Sequence, residues 1–140
     1  MSNKGKNATF QFMNFVVRES HIVFNKPGDD NISLNFEPNG TVLVELNQFH
    51  LSMKVAITSG DDNFKITLDT VSLFSFPDDA DLEAYKNSYF SLNAPAIVFP
   101  YLRAYITALT ALSGLPPIVL PTLNMMNIGE QLKENIVEVS

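Results

Sequence analysis

The amino-acid sequence predicts an α+β fold in which an antiparallel sheet is followed by helices. In the first half, apolar and polar residues alternate with a period of two, which is typical of half-buried strands. From Pro77 onward, the apolar residues recur at helical spacing. With 140 residues, 46 % of them hydrophobic, the chain suits one domain, so we expect a single domain over residues 1–140 with a disordered tail at 1–8.

The alternating half predicts a four-stranded antiparallel sheet, arranged as a meander because the connections are short. The predicted strands cover residues 9–24, 32–36, 42–57 and 64–76. We place a turn at Pro38-Asn39-Gly40, since proline sets φ and glycine accepts a positive φ. The alternation changes phase at Asn47-Gln48, which predicts a bulge, and residues 59–63 predict a second tight turn.

The second half predicts a long helix, a proline-rich connection and a C-terminal helix. Carboxylates crowd residues 78–83 and open a first helical stretch. Asn93 and Pro95 then start a long helix that runs to Ser113 and is stopped by Gly114. Residues 115–124 carry three prolines, so we expect an extended connection. A last amphipathic helix is predicted from about Met126 to Val137.

Charge is scarce in one part of the chain: between residues 87 and 129 the only charged side chain is Arg103. Within this stretch the long helix has two apolar stripes, Leu102-Ile106-Leu109 and Tyr101-Tyr105-Ala108-Leu112, with a thin polar strip of Arg103, Thr107 and Thr110. A helix that faces one core needs only one stripe. The second therefore predicts another subunit, and the expected interface residues are Tyr101, Ala104, Tyr105, Thr107, Ala108 and Ala111.

Composition disfavours several classes of function. The net charge of −6 disfavours nucleic-acid binding, and prolines interrupt the apolar stretch, so we expect no membrane insertion. The absence of cysteine excludes thiolate chemistry and suits the cytosol. No phosphate-binding loop, nucleophile elbow or zinc motif occurs, so we expect no cofactor, no metal and no catalytic residues.

The remaining candidates for catalysis or metal binding are acidic pairs and histidines. The pairs are Asp29-Asp30, Asp61-Asp62 and Asp78-Asp79, and the histidines are His21 and His50. Each pair lies at a predicted turn or helix start, where aspartate has a structural use, so structural roles are favoured. An enzyme without a recognisable motif and a small-ligand module remain alternatives.

Apolar residues on a proline-rich connection form the most unusual feature of the chain. Leu115, Ile118, Val119, Leu120 and Leu123 lie on the connection, and Met125 and Met126 follow it. They could cover the sheet as core or form the floor of a groove that binds apolar segments. Flexible methionines suit adaptable apolar surfaces, and each large side chain buried by a ligand contributes roughly 1.5–3 kcal/mol.

The motifs at this point resemble the SecB family of bacterial protein-export chaperones. Phe99-Pro100-Tyr101, followed after one residue by Arg103, resembles the family signature at the start of its long helix, and Ile106-Thr107 follows at the family spacing. The segment Leu115-Pro116-Pro117-Ile118-Val119-Leu120-Pro121 resembles its crossover loop. Weaker matches lie at Thr9-Phe10-Gln11 and Phe74-Ser75, and the resemblance covers roughly residues 9–137.

The resemblance implies an ATP-independent holdase that forms a homotetramer, a dimer of dimers joined through the long helices. Such a chaperone binds non-native preproteins along hydrophobic grooves and passes them to the SecA motor. The groove residues that the resemblance carries over are Leu34, Phe36, Leu115, Ile118, Leu120, Leu123, Met125, Met126 and Leu132.

The resemblance is incomplete at the expected motor contacts. Acidic family positions fall on Lys65, Thr67 and Asn25, and the chain ends at Ser140, soon after the last helix. SecA is therefore a possible partner rather than a required one. The alternative is a SecB-like chaperone dedicated to one client, such as the antitoxin of a toxin–antitoxin system.

Overall fold

The computed structural model describes residues 9–27 and 31–140. The predicted tail at residues 1–8 and the acidic pair Asp29-Asp30 lie outside the described residues. A five-stranded sheet forms the centre, in the order β1-β4-β3-β2-β5. The strands are β1 (Gln11–Phe24), β2 (Ile32–Leu43), β3 (Gln48–Ser59), β4 (Phe64–Ser75) and β5 (Ile136–Val139). Neighbours among β1 to β4 are antiparallel, whereas β5 is parallel to β2.

The α+β class and the four antiparallel strands are confirmed, but the meander is wrong for β1, which pairs with β4 at the far edge from β2. Seven residues, 25–31, link the two edges. The Asn25 N–H donates to the Asn63 carbonyl at 2.9 Å, and the Gly60 N–H donates to the Asn31 carbonyl at 2.8 Å. Both described ends of the link are therefore held at the end of the β3–β4 hairpin that carries Gly60 and Asn63.

The predicted turn at Pro38-Asn39-Gly40 is wrong, because β2 continues through it to Leu43. The chain reverses instead in a 3-10 turn at Val44–Leu46, followed by Asn47 at φ 55°. Pro38 fits a strand because its missing N–H would point away from β3, so no hydrogen bond of the β2–β3 ladder is lost. The phase change at Asn47-Gln48 thus marks the hairpin turn and not a bulge.

The helices are α1 (Leu82–Lys86), α2 (Ala94–Leu112) and α3 (Met125–Glu134), with one π-helical turn at Tyr89–Asn93 before α2. Gly114, at φ 81°, follows the end of α2 as predicted. The last helix ends three residues earlier than predicted. The next residue, Asn135, is hydrogen-bonded to β2, since its carbonyl accepts from the Gly40 N–H at 3.1 Å. From there the chain continues as β5.

One face of the sheet, the inner face, is covered by the helices and forms the core. Phe49 of β3 stacks on Phe90 of the π-helical turn with ring centroids 4.2 Å apart. Val98, Leu102 and Ile106 form the buried stripe of α2. By length and composition alone, the helical run Leu82–Leu112 could cross a membrane, with 28 % of its most apolar window buried in the fold.

Candidate functional site: an apolar surface beside the proline-rich connection

The proline-rich connection, residues 115–124, is extended and is hydrogen-bonded along α2. The Thr107 hydroxyl donates to the Ile118 carbonyl at 2.8 Å, and Arg103 Nε donates to the Leu120 carbonyl at 3.1 Å. The Ile118 N–H donates to the Thr110 hydroxyl at 3.0 Å. The polar strip of α2 therefore satisfies two carbonyls and one N–H of the connection, which pairs with no strand in the described part of the chain.

The connection lies on the flank of α2 that carries Arg103 and Thr107. On the opposite flank, Tyr101 contacts two aromatic rings of β1, with centroid distances of 5.0 Å to Phe12 and 5.6 Å to Phe15. Arg103 and Thr107 lie about 200° and 240° round the helix from Tyr101, so the connection that they hold runs along the other flank. It leads into α3, which packs against β2.

Side chains on the connection differ sharply in exposure. Leu120 is 1 % exposed and belongs to the core, whereas Val119 beside it is 66 % exposed. Leu115, Ile118 and Leu123 are half-buried and pack against the edge of the core. The hydrogen bonds to α2 hold this alternation in place, so Val119 stays at the surface.

On α3 the predicted groove residues also separate by burial. Leu132 is fully buried, Met125 is half-buried and Met126 is 68 % exposed. Leu132 and Leu120 are thus corrected from groove residues to core residues, because a covered side chain offers no area to a ligand.

On β2, Leu34 and Phe36 lie on the inner face, where they pair across the strands with the buried Ile57 and Val55. Both are half-buried and pack against the edge of the core. We use the name apolar surface for eight partly or mostly exposed side chains of β2, the connection and α3. They are Leu34, Phe36, Leu115, Ile118, Val119, Leu123, Met125 and Met126.

The predicted interface residues of α2 lie on two different sides of the helix. Ala104, Ala108 and Ala111 are exposed, and Tyr105 is half-buried. Leu112, on the same outward side, is 89 % exposed. Thr107 instead turns to the connection through its bond to the Ile118 carbonyl. The outward face of α2 thus remains apolar and uncovered in a single subunit.

Two small, open clefts lie among the described residues. One of about 240 Å³ lies between α2 and the connection, where Arg103 stacks on Phe99 at 5.1 Å. Another, of about 250 Å³, lies on the outer face of the sheet beside Lys54 and Asp69. Both are smaller than typical small-molecule sites, which are roughly 300–1,000 Å³. Neither cleft is enclosed enough to surround a small molecule.

The acidic and histidine candidates have structural surroundings. Asp61 accepts hydrogen bonds from the Ser59 hydroxyl and the Asn63 N–H, and these bonds lower the pKa of its carboxyl. Asp78 accepts a hydrogen bond from the Asn47 side chain. His50 contacts the Gln48 side chain at 3.0 Å, and burial lowers the pKa of its imidazole. Within residues 9–27 and 31–140, no three His, Asp or Glu side chains come together as a metal site.

Comparison with known protein families identifies the family of this chain. The chain matches the SecB family, described as preprotein translocase subunit SecB, over residues 11–135. The chain belongs to the SecB family.

Relatives of this SecB-family chain come from archaea and bacteria. An uncharacterised protein of Methanocaldococcus jannaschii is 29 % identical over 136 residues, covering 89 % of this chain and 88 % of that protein. The protein-export protein SecB of Anaplasma phagocytophilum is 35 % identical over 65 residues, covering 45 % of this chain and 41 % of that one.

A solved structure shares the SecB-like fold. It is the SecB-like chaperone Rv1957 of Mycobacterium tuberculosis, in complex with a ChAD peptide from the Rv1956 HigA1 antitoxin. The TM-score is 0.66 at 19 % identity, and the match covers 83 % of this chain and 88 % of that chain. The fold predicted from the sequence is thereby confirmed, and the chain is a member of a chaperone family.

Two features of the site were not predicted from the sequence. The polar strip of Arg103, Thr107 and Thr110 anchors the connection, a role that the sequence did not assign to it. One signal could have indicated this role. The proline-rich connection directly follows the helix that carries the polar strip, so the strip could have been expected to bind the connection's backbone. Strand β5 had no such signal, because its four residues continue the helical spacing of α3.

Proposed function

We propose that this SecB-family protein is an ATP-independent holdase of the cytosol that binds non-native preproteins on the apolar surface and keeps them competent for export by the Sec translocase. The observation that carries the proposal is the exposure of Val119 and Met126 on a connection and helix whose backbone is fixed. A fixed apolar surface binds an unfolded segment without first losing its own conformational freedom.

The expected affinity follows from the area that a client would cover. Burying a large apolar side chain contributes roughly 1.5–3 kcal/mol, and a side chain that is already half-buried contributes correspondingly less. Several partial contributions along the apolar surface would support micromolar binding, about −8 kcal/mol. Such binding is reversible without nucleotide hydrolysis, as a holdase requires.

The test combines two exposed positions of the apolar surface. We expect Val119→Ser with Met126→Ser to weaken the suppression of aggregation of a precursor protein diluted from urea, measured by light scattering. Val137→Ser is the matched control, because Val137 is 59 % exposed on the outer face of the sheet, away from the connection. Equal loss in control and double variant, or no loss in either, would contradict the proposed binding surface.

We also propose that the outward face of α2 joins subunits into the homotetramer expected for the family. Its small side chains, Ala104, Ala108 and Ala111, allow close approach of a second helix, and Leu112 would be covered in the contact. The mass in solution, measured by light scattering across a range of concentrations, tests this. A monomer at every concentration would contradict the assembly.

The second candidate is a SecB-like chaperone dedicated to one client, such as an antitoxin. The structural neighbour bound to an antitoxin peptide favours it, and so do the non-acidic residues Lys65, Thr67 and Asn25 at the expected motor contacts. A pull-down with purified SecA separates the two candidates. Binding of SecA supports the export function, whereas binding of a co-expressed antitoxin without SecA supports the dedicated function.

A further inference from the structure

We propose that the free edge of β2, at residues 32–37, binds an extended polypeptide segment as an added β-strand, through main-chain hydrogen bonds. The inference rests on the proposed chaperone function and specifies how a client is held. It concerns the backbone of β2, whereas the apolar surface concerns side chains.

The direction of the backbone groups along β2 follows from two hydrogen bonds. The Asn31 carbonyl accepts from the Gly60 N–H, so the odd-numbered residues of β2 face β3. The Gly40 N–H donates to the Asn135 carbonyl, so the even-numbered residues face outward. Because these directions alternate along a strand, the N–H and C=O groups of Ile32, Leu34 and Phe36 point away from the sheet.

Only half of this edge is occupied by the described chain. β5 pairs with β2 from Gly40 to Leu43, and the Asn135 side chain donates to the Pro38 carbonyl. Among the described residues, the part of β2 before Pro38 pairs with β3 alone. The outward groups at Leu34 and Phe36 therefore form an unpaired sheet edge, which is a template for strand addition.

The neighbouring β5 indicates which chemistry suits this edge. Its sequence Ile-Val-Glu-Val shows that the edge accepts a short apolar strand, and the open residues continue the same edge. Side chains of an added strand would alternate between two environments. One set would reach the inner face beside Leu34 and Phe36, and the other would lie on the outer face beside Glu37. The occupant we propose is thus an extended segment that alternates apolar with polar or basic residues.

The opposite edge, β1, fits an added strand less well. Its pairing with β4 is interrupted by register shifts at Phe12/Asn14 and Val17/Glu19, whereas β2 pairs with β3 without interruption. Irregularities of this kind disrupt the regular ladder on which an added strand depends. The helix that follows the connection, α3, also packs against β2.

A proline substitution tests the hydrogen bond separately from the side chain. Leu34→Pro removes an outward N–H and the leucine side chain, while Leu34→Ala removes the side chain alone. Pro38 shows that β2 tolerates proline at an outward position. The probe is a fluorescein-labelled nine-residue peptide of alternating leucine and threonine with a lysine at each end, and the measurement is fluorescence anisotropy. We expect the proline variant to bind about two- to tenfold more weakly than the alanine variant, the effect of one net hydrogen bond.

Amide hydrogen exchange of the wild-type protein provides a second measurement, which decides the matter if Leu34→Pro does not fold. We expect the Leu34 and Phe36 amides to exchange rapidly alone and to become protected when the peptide binds. Equal binding by both variants, or no protection with peptide bound, would overturn the edge pairing while leaving the chaperone function intact. Protection without peptide that grows with protein concentration would also overturn it, since a second copy would then occupy the edge.

Failure of the wild type to bind the peptide overturns the edge proposal alone if the protein still suppresses aggregation. It overturns the proposed function as well if suppression is absent.

Discussion

Leu132→Ala is expected to destabilise the fold strongly, because the structure places this side chain in the core and not on the apolar surface. Leu132 is fully buried on α3. Truncation of a buried leucine to alanine costs about 2–5 kcal/mol, the sum of lost transfer free energy and the cavity left behind. For 140 residues the entropy of unfolding is about 0.3 kcal/mol per kelvin, so the midpoint temperature should fall by about 7–17 °C.

Met126→Ala is the matched control, since it shortens another large apolar side chain on the same helix. Met126 is mostly exposed, so its truncation should change the free energy of unfolding by less than about 0.5 kcal/mol. Thermal unfolding followed by circular dichroism, at one subunit concentration for all variants, measures both. A Leu132→Ala protein as stable as Met126→Ala would refute the assignment of Leu132 to the core and return it to the groove.

Two further predictions concern how α3 and β5 are held. Gly129→Ala should lower the free energy of unfolding by about 1–3 kcal/mol, because the added Cβ would lie 2.6 Å from the Ser91 carbonyl oxygen. Alanine favours helix more than glycine does, so a more stable Gly129→Ala protein would contradict the clash. Urea unfolding measures the change, with Asn127→Ala as the exposed control. Glu138→Gln should cost up to about 1 kcal/mol at pH 8, because the hydrogen bond from Lys86 to Glu138 raises the pKa of that ammonium. The raised pKa contributes its full stability below the ordinary value of 10.5 and loses it as the pH rises through the folded-state value. The difference from wild type should therefore shrink as the pH rises beyond 10.5, and a difference that stays constant there would be the contrary result.

The helices were predicted closely from the sequence because their signals are local. Pro95 near the start of α2 and Gly114 after its end act through their own backbone angles, so neighbouring strands do not alter them. The strands depended on more distant partners. Pro38 reads as a turn in isolation, yet in the sheet it lies where the absent N–H costs nothing.

Burial at the candidate site could not be assigned residue by residue from the sequence. Val119 and Leu120 are adjacent apolar residues of one proline-rich segment, and one is exposed while the other is core. An extended segment has no fixed helical period, so its pattern alone does not say which side faces the sheet. The difference is set by Arg103 and Thr107, which hold the Leu120 and Ile118 carbonyls.

The same hydrogen bonds explain how apolar side chains can remain at the surface of a stable subunit. An extended segment with free N–H and C=O groups must pair them or leave them in water. Here three prolines remove N–H groups, and the polar strip of α2 takes up two carbonyls and the Ile118 N–H. The connection therefore needs no sheet partner, and among the described residues the first half of β2 pairs with β3 alone. An unfolded chain can pair its own backbone with the open part of the β2 edge. It can also bury its apolar side chains against those that the subunit leaves exposed.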